Sequence, residues 1–212
     1  MTQPRFDLDS VLLVIDMQYD FMPGGALAVA EGDALVPLIN RLGKQFSAVV
    51  ITQDWHPAGH ISFASSHPGR APFDSTILPY GPQTLWPDHC IQGSHGAQLH
   101  ADLDLPHAQL ILRKGCNGHI DSYSAFLEAD RSTPTGLASY LKERNVKNVF
   151  VVGLALDFCV AWSALDARAA GFTTVVVEDA CRAIDMGGSL EKAWQDMRAA
   201  GITRTDSTEL LG

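Results

Sequence analysis

Short, nearly unbroken apolar runs recur along the chain at residues 11–15 (VLLVI), 48–52 (AVVIT), 110–112 (LIL), 149–152 (VFVV) and 173–177 (TTVVV). A strand with water on one face alternates apolar and polar positions. These runs do not, so they predict parallel strands covered on both faces. Helical spacing fills the intervals. In 33–46 the apolar positions are Leu35, Leu38, Ile39 and Leu42. Stretch 135–144 is expected to open on a Thr cap and run through Leu137 and Leu141. Stretch 157–170 opens on Asp157, a good cap, and stops at Gly171; 189–200 repeats the design before Gly201. Strand and helix in alternation define an α/β fold, a three-layer α-β-α sandwich around a mostly parallel central sheet.

The interval 54–106, rich in Pro, Gly, His and Ser, breaks this rhythm. A connection of that length inside one compact domain is usually functional. A chain of 212 residues, 46% hydrophobic and 18% charged, has material for one sizeable core and no signature of disorder. Its net charge of -9 comes without any cluster of Lys and Arg, which argues against nucleic acid and anionic membrane as partners. The opening MTQPRFDLDS lacks the basic-then-apolar layout of an export signal, and no apolar run is long enough to span a bilayer. Cys90, Cys116, Cys159 and Cys181 form no CxxC pair and read as free thiols. A cytoplasmic location is the expectation.

In open α/β sheets, ligands bind beyond the carboxyl ends of the strands. Asp16 follows the first run, Asp54 the second, Lys114 the third and the segment GLALDFCV, holding Cys159, the fourth. Cys159 is the candidate nucleophile. With Asp157 as a cap it would sit in the first turn of a helix, where the dipole favours a thiolate and free N–H groups can hold an oxyanion. Asp16 is the candidate general base and Lys114 a cation favouring both anions. Each has a plain alternative: a buried structural cysteine, a turn-forming aspartate, a solvated lysine. The other three cysteines are read as structural.

Asp54 and His56, two apart on an extended strand end, direct their side chains to the same side, as metal ligands must. His60 lies nearby and His89 later, in WPDHC. One Asp with two or three His suits zinc, ferrous iron or manganese. His67, His95, His100, His107 and His119 are read as surface or loop residues. Phe21 and Trp86 are candidate walls for a flat ring, with core packing as the alternative.

The segments VIDMQYDFMPGGALAV, ITQDWHPAGHISFA, LWPDHCIQGSHGA, RKGCNGHIDSYSAF, VVGLALDFCVAWSALDA and VVEDACRAID resemble the isochorismatase-like cysteine hydrolases, and among them the nicotinamidases, also called pyrazinamidases. The resemblance implies Asp16, Lys114 and Cys159 as a catalytic triad. It implies Asp54, His56 and His89 as ligands of one divalent ion, with His60 a fourth ligand or only a neighbour. Phe21 and Trp86 become substrate-binding residues stacking on a pyridine ring. A cis peptide before Ala155 and an oxyanion hole from the N–H groups of Ala155 and Cys159 are implied too. The expected activity is hydrolysis of nicotinamide to nicotinic acid and ammonia, in NAD salvage, with pyrazinamide also accepted; relatives imply homo-oligomers. Leu156 stands where many nicotinamidases carry Thr, and is expected to alter the polarity beside the oxyanion hole.

Another amidohydrolase of the superfamily, acting on a different small amide, is the near rival. Isochorismatases generally lack the Asp-x-His pair. A thiol- or metal-based sensor would need neither Asp16, Lys114 nor the aromatic residues.

Overall fold

The computed structural model describes residues 5–212; residues 1–4, which begin the stretch lacking an export layout, lie outside the described residues. Six strands form the main sheet: β1 (Phe6–Ile15), β2 (Phe46–Asp54), β5 (Leu110–Lys114), β6 (Asn148–Leu154), β7 (Thr173–Arg182) and β8 (Thr203–Thr205). Their order is β5-β2-β1-β6-β7-β8, and every pairing is parallel. Alternate side chains of each strand enter different cores, as the two-residue period demands. Val11, Leu13 and Ile15 of β1 pack with α2 (Leu137–Glu143), α3 (Ala161–Ala169) and α4 (Ser189–Ala199). Leu12 and Val14 pack with α1 (Val36–Gly43) and α5 (Ser207–Leu211). The expected three layers are therefore present, with the sheet between them.

All five expected strands form, and most extend beyond their apolar runs. β1 begins five residues early because Phe6 stacks on Phe46, with ring centroids 4.4 Å apart, although Asp7 and Leu8 between them and the core run are exposed. β8 was not expected; Thr-Arg-Thr is a short edge strand without an apolar run. Within 54–106 lies a further unforeseen hairpin, β3 (Ser75–Leu78) with β4 (Gly81–Thr84). The helix expected over 33–46 is a 3-10 turn, Asp33–Leu35, followed by α1, and Phe46 already belongs to β2. The cap position of α2 falls to Gly136, one residue after the expected Thr135, whose hydroxyl nevertheless accepts the Leu137 N–H at 3.2 Å. No helix among the described residues is long and apolar enough to cross a membrane.

The cap expected from Asp157 is not there. A π-helical turn, Leu156–Val160, precedes α3. The Asp157 carboxylate turns away to accept the N–H groups of Ile184 and Asp185, at 3.0 and 2.8 Å, and the Ser189 hydroxyl. It ties the chain after β7 to the nucleophile's turn instead of capping a helix.

Candidate active site

Strand order explains why distant residues meet. β5, β2, β1 and β6 are consecutive in the sheet, so the residues ending or following them share one edge. Asp54 and Lys114 are register partners on neighbouring strands. Asp16 adopts a left-handed backbone, φ +47°, a conformation aspartate tolerates better than most residues. Its N–H donates to the Thr52 hydroxyl at 3.1 Å, and that hydroxyl donates back to Asp16 Oδ1 at 2.6 Å.

Lys114 is the centre of the cluster. Its ammonium, with a wholly buried side chain, lies 2.8 Å from Asp16 Oδ2 and 2.8 Å from Asp54 Oδ1. It also donates to the Ser122 carbonyl at 3.0 Å and to Cys159 Sγ at 3.5 Å. The contact with Asp16 Oδ2 is off the axis of a hydrogen bond, so that buried oxygen has no directed donor. Asp16, Lys114 and Cys159 thus meet as expected.

Their electrostatics depart from the expectation. Burial raises the Cys159 thiol well above its usual range; Lys114 opposes this, while Asp16 and Asp54 add to it. Cys159 does lie in the first turn of the helical stretch that runs into α3, but burial there, facing two carboxylates, opposes the lowering expected from a helix start. Burial also raises Asp16, against the pull of Lys114. Burial disfavours the Lys114 cation, but Asp16 and Asp54 more than compensate and hold it well above the usual lysine range. Asp54 is pushed up by burial, yet His56 and Lys114 bring it well below the usual carboxylate range. A thiol, a carboxylate and a fixed cation gathered in one buried cluster supply the parts of a proton transfer.

On the other side of Asp54 three ligand atoms converge. Asp54 Oδ2 lies 3.2 Å from His56 Nε2 and 3.4 Å from His89 Nε2. His56 Nδ1 bonds the Gly115 carbonyl at 3.0 Å and His89 Nδ1 the Pro87 carbonyl at 2.8 Å. A carbonyl only accepts, so each Nδ1 carries a proton, which leaves each Nε2, the nitrogen facing Asp54, as the atom available to a metal. Two imidazole nitrogens and a carboxylate oxygen gathered in a buried space fit a divalent cation. Gly115 is required here: at φ +67°, a Cβ would stand 2.5 Å from His56 Cε1.

His60 is not part of this group. Its Nδ1 pairs with Ser62 Oγ at 2.7 Å and its Nε2 with the Asn117 carbonyl at 2.9 Å. It lies beside His56, ring centroids 4.3 Å apart.

A narrow cleft opens onto Cys159, Asp54 and His89. Phe21, Trp86 and Ala155 line it as expected, and the Leu154–Ala155 peptide is cis. So do Leu27, Asp121, Tyr123, Phe158 and Ile184, which sequence reasoning did not single out. Phe158 meets Trp86 edge to face at 4.9 Å, and the Trp86 indole donates to the Tyr123 hydroxyl at 2.9 Å. Tyr123 and Asp121 stand in DSYSAF, a matched motif left without assigned roles; Phe158 immediately precedes the nucleophile. Leu156 corrects an expectation. It is buried in the core shared with α3 and α4, outside the cleft lining, so it has no part in the cleft's polarity.

The isochorismatase domain family matches residues 10–209. A nicotinamidase of Acinetobacter baylyi is 60% identical over 200 residues, covering 94% of each chain. A solved nicotinamidase/pyrazinamidase of Acinetobacter baumanii superposes with TM-score 0.96 at 58% identity, covering 99% of this chain and 100% of that one. A pyrazinamidase of Pyrococcus horikoshii, solved in complex with zinc, superposes with TM-score 0.76 at 35% identity, covering 93% and 99%. The chain belongs to the isochorismatase family of hydrolases, among its nicotinamidase and pyrazinamidase members.

Proposed function

We propose that this chain hydrolyses nicotinamide to nicotinic acid and ammonia through a thioester on Cys159, accepts pyrazinamide as well, and serves NAD salvage. The observation that carries the reading is the Lys114 ammonium, which joins the Cys159–Asp16 pair to the Asp54 ligand group at the floor of an aromatic-walled cleft. Relatives named for the same amide hydrolysis support it.

Asp54, His56 and His89 would hold the divalent ion, with zinc, iron and manganese as the candidates, zinc favoured by the zinc-bound relative. When bound, it supplies a Lewis-acidic anchor for the ring nitrogen of the substrate. Phe21 and Trp86 orient the ring and exclude water. Asp16 takes the Cys159 proton as sulfur bonds to the carboxamide carbon. The oxyanion rests on the N–H groups of Ala155 and Cys159. Asp16 returns its proton to nitrogen as the C–N bond breaks and ammonia departs. Water then cleaves the thioester, giving the acid and restoring the thiol.

Cys159→Ala is expected to abolish ammonia release from nicotinamide while bound metal stays near the unmodified level. Full turnover by that variant rules the mechanism out. Assay of nicotinamide, pyrazinamide and simple ureido compounds side by side tests the substrate: preference for a non-aromatic amide overturns the assignment.

A further inference from the structure

Asp121 is a buried carboxylate whose hydrogen-bond donors are both neutral. The residue is 2% exposed and lines the cleft with Asp54, His89 and Cys159. Its Oδ2 accepts from Gln83 Nε2 at 2.7 Å and its Oδ1 from the Ser122 N–H at 2.8 Å, both neutral donors. Among the described residues, no lysine, arginine or histidine forms an ion pair with it. Buried carboxylates are normally paired or lie beside a cation. Asp121 belongs to a buried group with His56 and His60, their ligand atoms within 4.8 Å of one another, and His56 also belongs to the Asp54–His89 group. Through His56 the Asp121 carboxylate therefore adjoins the Asp54–His56–His89 group.

We propose that Asp121 is a positioning residue of the metal centre: a buried carboxylate that offsets the charge of an ion held by Asp54, His56 and His89 and thereby sets its affinity. The inference rests on the metal reading above. It assigns Asp121 no direct bond to the ion. Partners just outside a metal's own ligands commonly change affinity by about 10- to 100-fold, and a full charge in a water-poor site acts over several ångströms with little screening.

The test is zinc affinity, measured by competition with a chromogenic chelator after stripping and reloading. Asp121→Asn and Asp121→Ser, two neutral variants, are expected to weaken zinc by about 10- to 100-fold. Gln83→Leu removes the hydrogen bond but keeps the charge, and is expected to bind zinc within a few-fold of the unmodified chain. Zinc affinity unchanged in the neutral variants overturns the proposal. A loss in Gln83→Leu equal to theirs also overturns it, because Asp121 would then act only by anchoring the β4 hairpin. Asp54→Asn separates the two readings. If it binds zinc as tightly as the unmodified chain, or the unmodified chain binds none, the metal centre itself is misassigned.

Discussion

Lys114 and Asp54 meet twice, as register partners on neighbouring strands and again where the Nζ approaches Oδ1 at 2.8 Å. The sheet's hydrogen-bond ladder thus fixes the distance between the cation of the proposed triad and the carboxylate of the proposed metal group. One buried ammonium serves both, since Asp16 Oδ2 lies equally close at 2.8 Å.

Lys114→Met should therefore damage stability as well as chemistry. It leaves two carboxylates facing each other without a cation, and breaking a buried ion pair from one side costs about 3–5 kcal/mol. Urea denaturation is expected to show a loss of that size, with ammonia release at least a thousandfold slower. A variant as stable as the unmodified protein would mean that Lys114 is not the charge holding the cluster.

Gly115→Ala should act on the metal group and spare the nucleophile. The added Cβ would stand 2.5 Å from His56 Cε1 and 2.7 Å from its Nδ1. The imidazole must move off the Gly115 carbonyl that fixes its tautomer. Metal content by elemental analysis is expected to fall, and turnover about tenfold or more with it. Alkylation of Cys159 by iodoacetamide should stay within a few-fold, and a normal metal content would refute the argument.

The acid side of the pH profile should respond to Thr52. Asp16 works as a base only when ionised, and burial raises its carboxyl despite Lys114. Activity should then fall off at a higher pH than an exposed carboxylate, near about 3.9, would dictate. The Thr52 hydroxyl favours the ionised form through its 2.6 Å bond to Oδ1. Thr52→Val removes that bond, so the acid limb of kcat/KM should move to still higher pH. No movement, or movement downward, contradicts Asp16 as the base.

Gln18 holds Asp54 by its backbone. Its amide oxygen accepts the Asp54 N–H at 2.7 Å, and its Nε2 donates to the carbonyls of Asp54 and Ala97, at 2.8 and 2.9 Å. Gln18→Ala strands these buried groups, and unsatisfied partners cost about 1–3 kcal/mol each. Chemical denaturation should show a loss of about 2–5 kcal/mol, with weaker metal retention. Unchanged stability would mean that water replaces the amide at no cost.

The layer order and most of the chemical residues were legible in the linear chain, because both follow from local pattern. Unbroken apolar runs mark doubly covered strands, and position just past a strand's end marks the ligand edge. Asp16, Asp54, Lys114 and Cys159 are all found by that rule. The elements that escaped lack such a signature: β8 is polar, and the β3–β4 hairpin is short, carries Pro and packs few apolar side chains.

What the chain by itself determined was which residues carry reactive groups and which edge of the sheet they reach. Tertiary structure alone decided their states. Burial in an enclosed turn raises the Cys159 thiol, Asp157 anchors a loop in place of capping a helix, and Leu156 faces the core. Gln18, Asp121 and Tyr123 acquire their parts only through partners 36 to 79 residues away in the chain. Desolvation and pairing are properties of the packed interior, set by atoms that sequence neighbours do not supply.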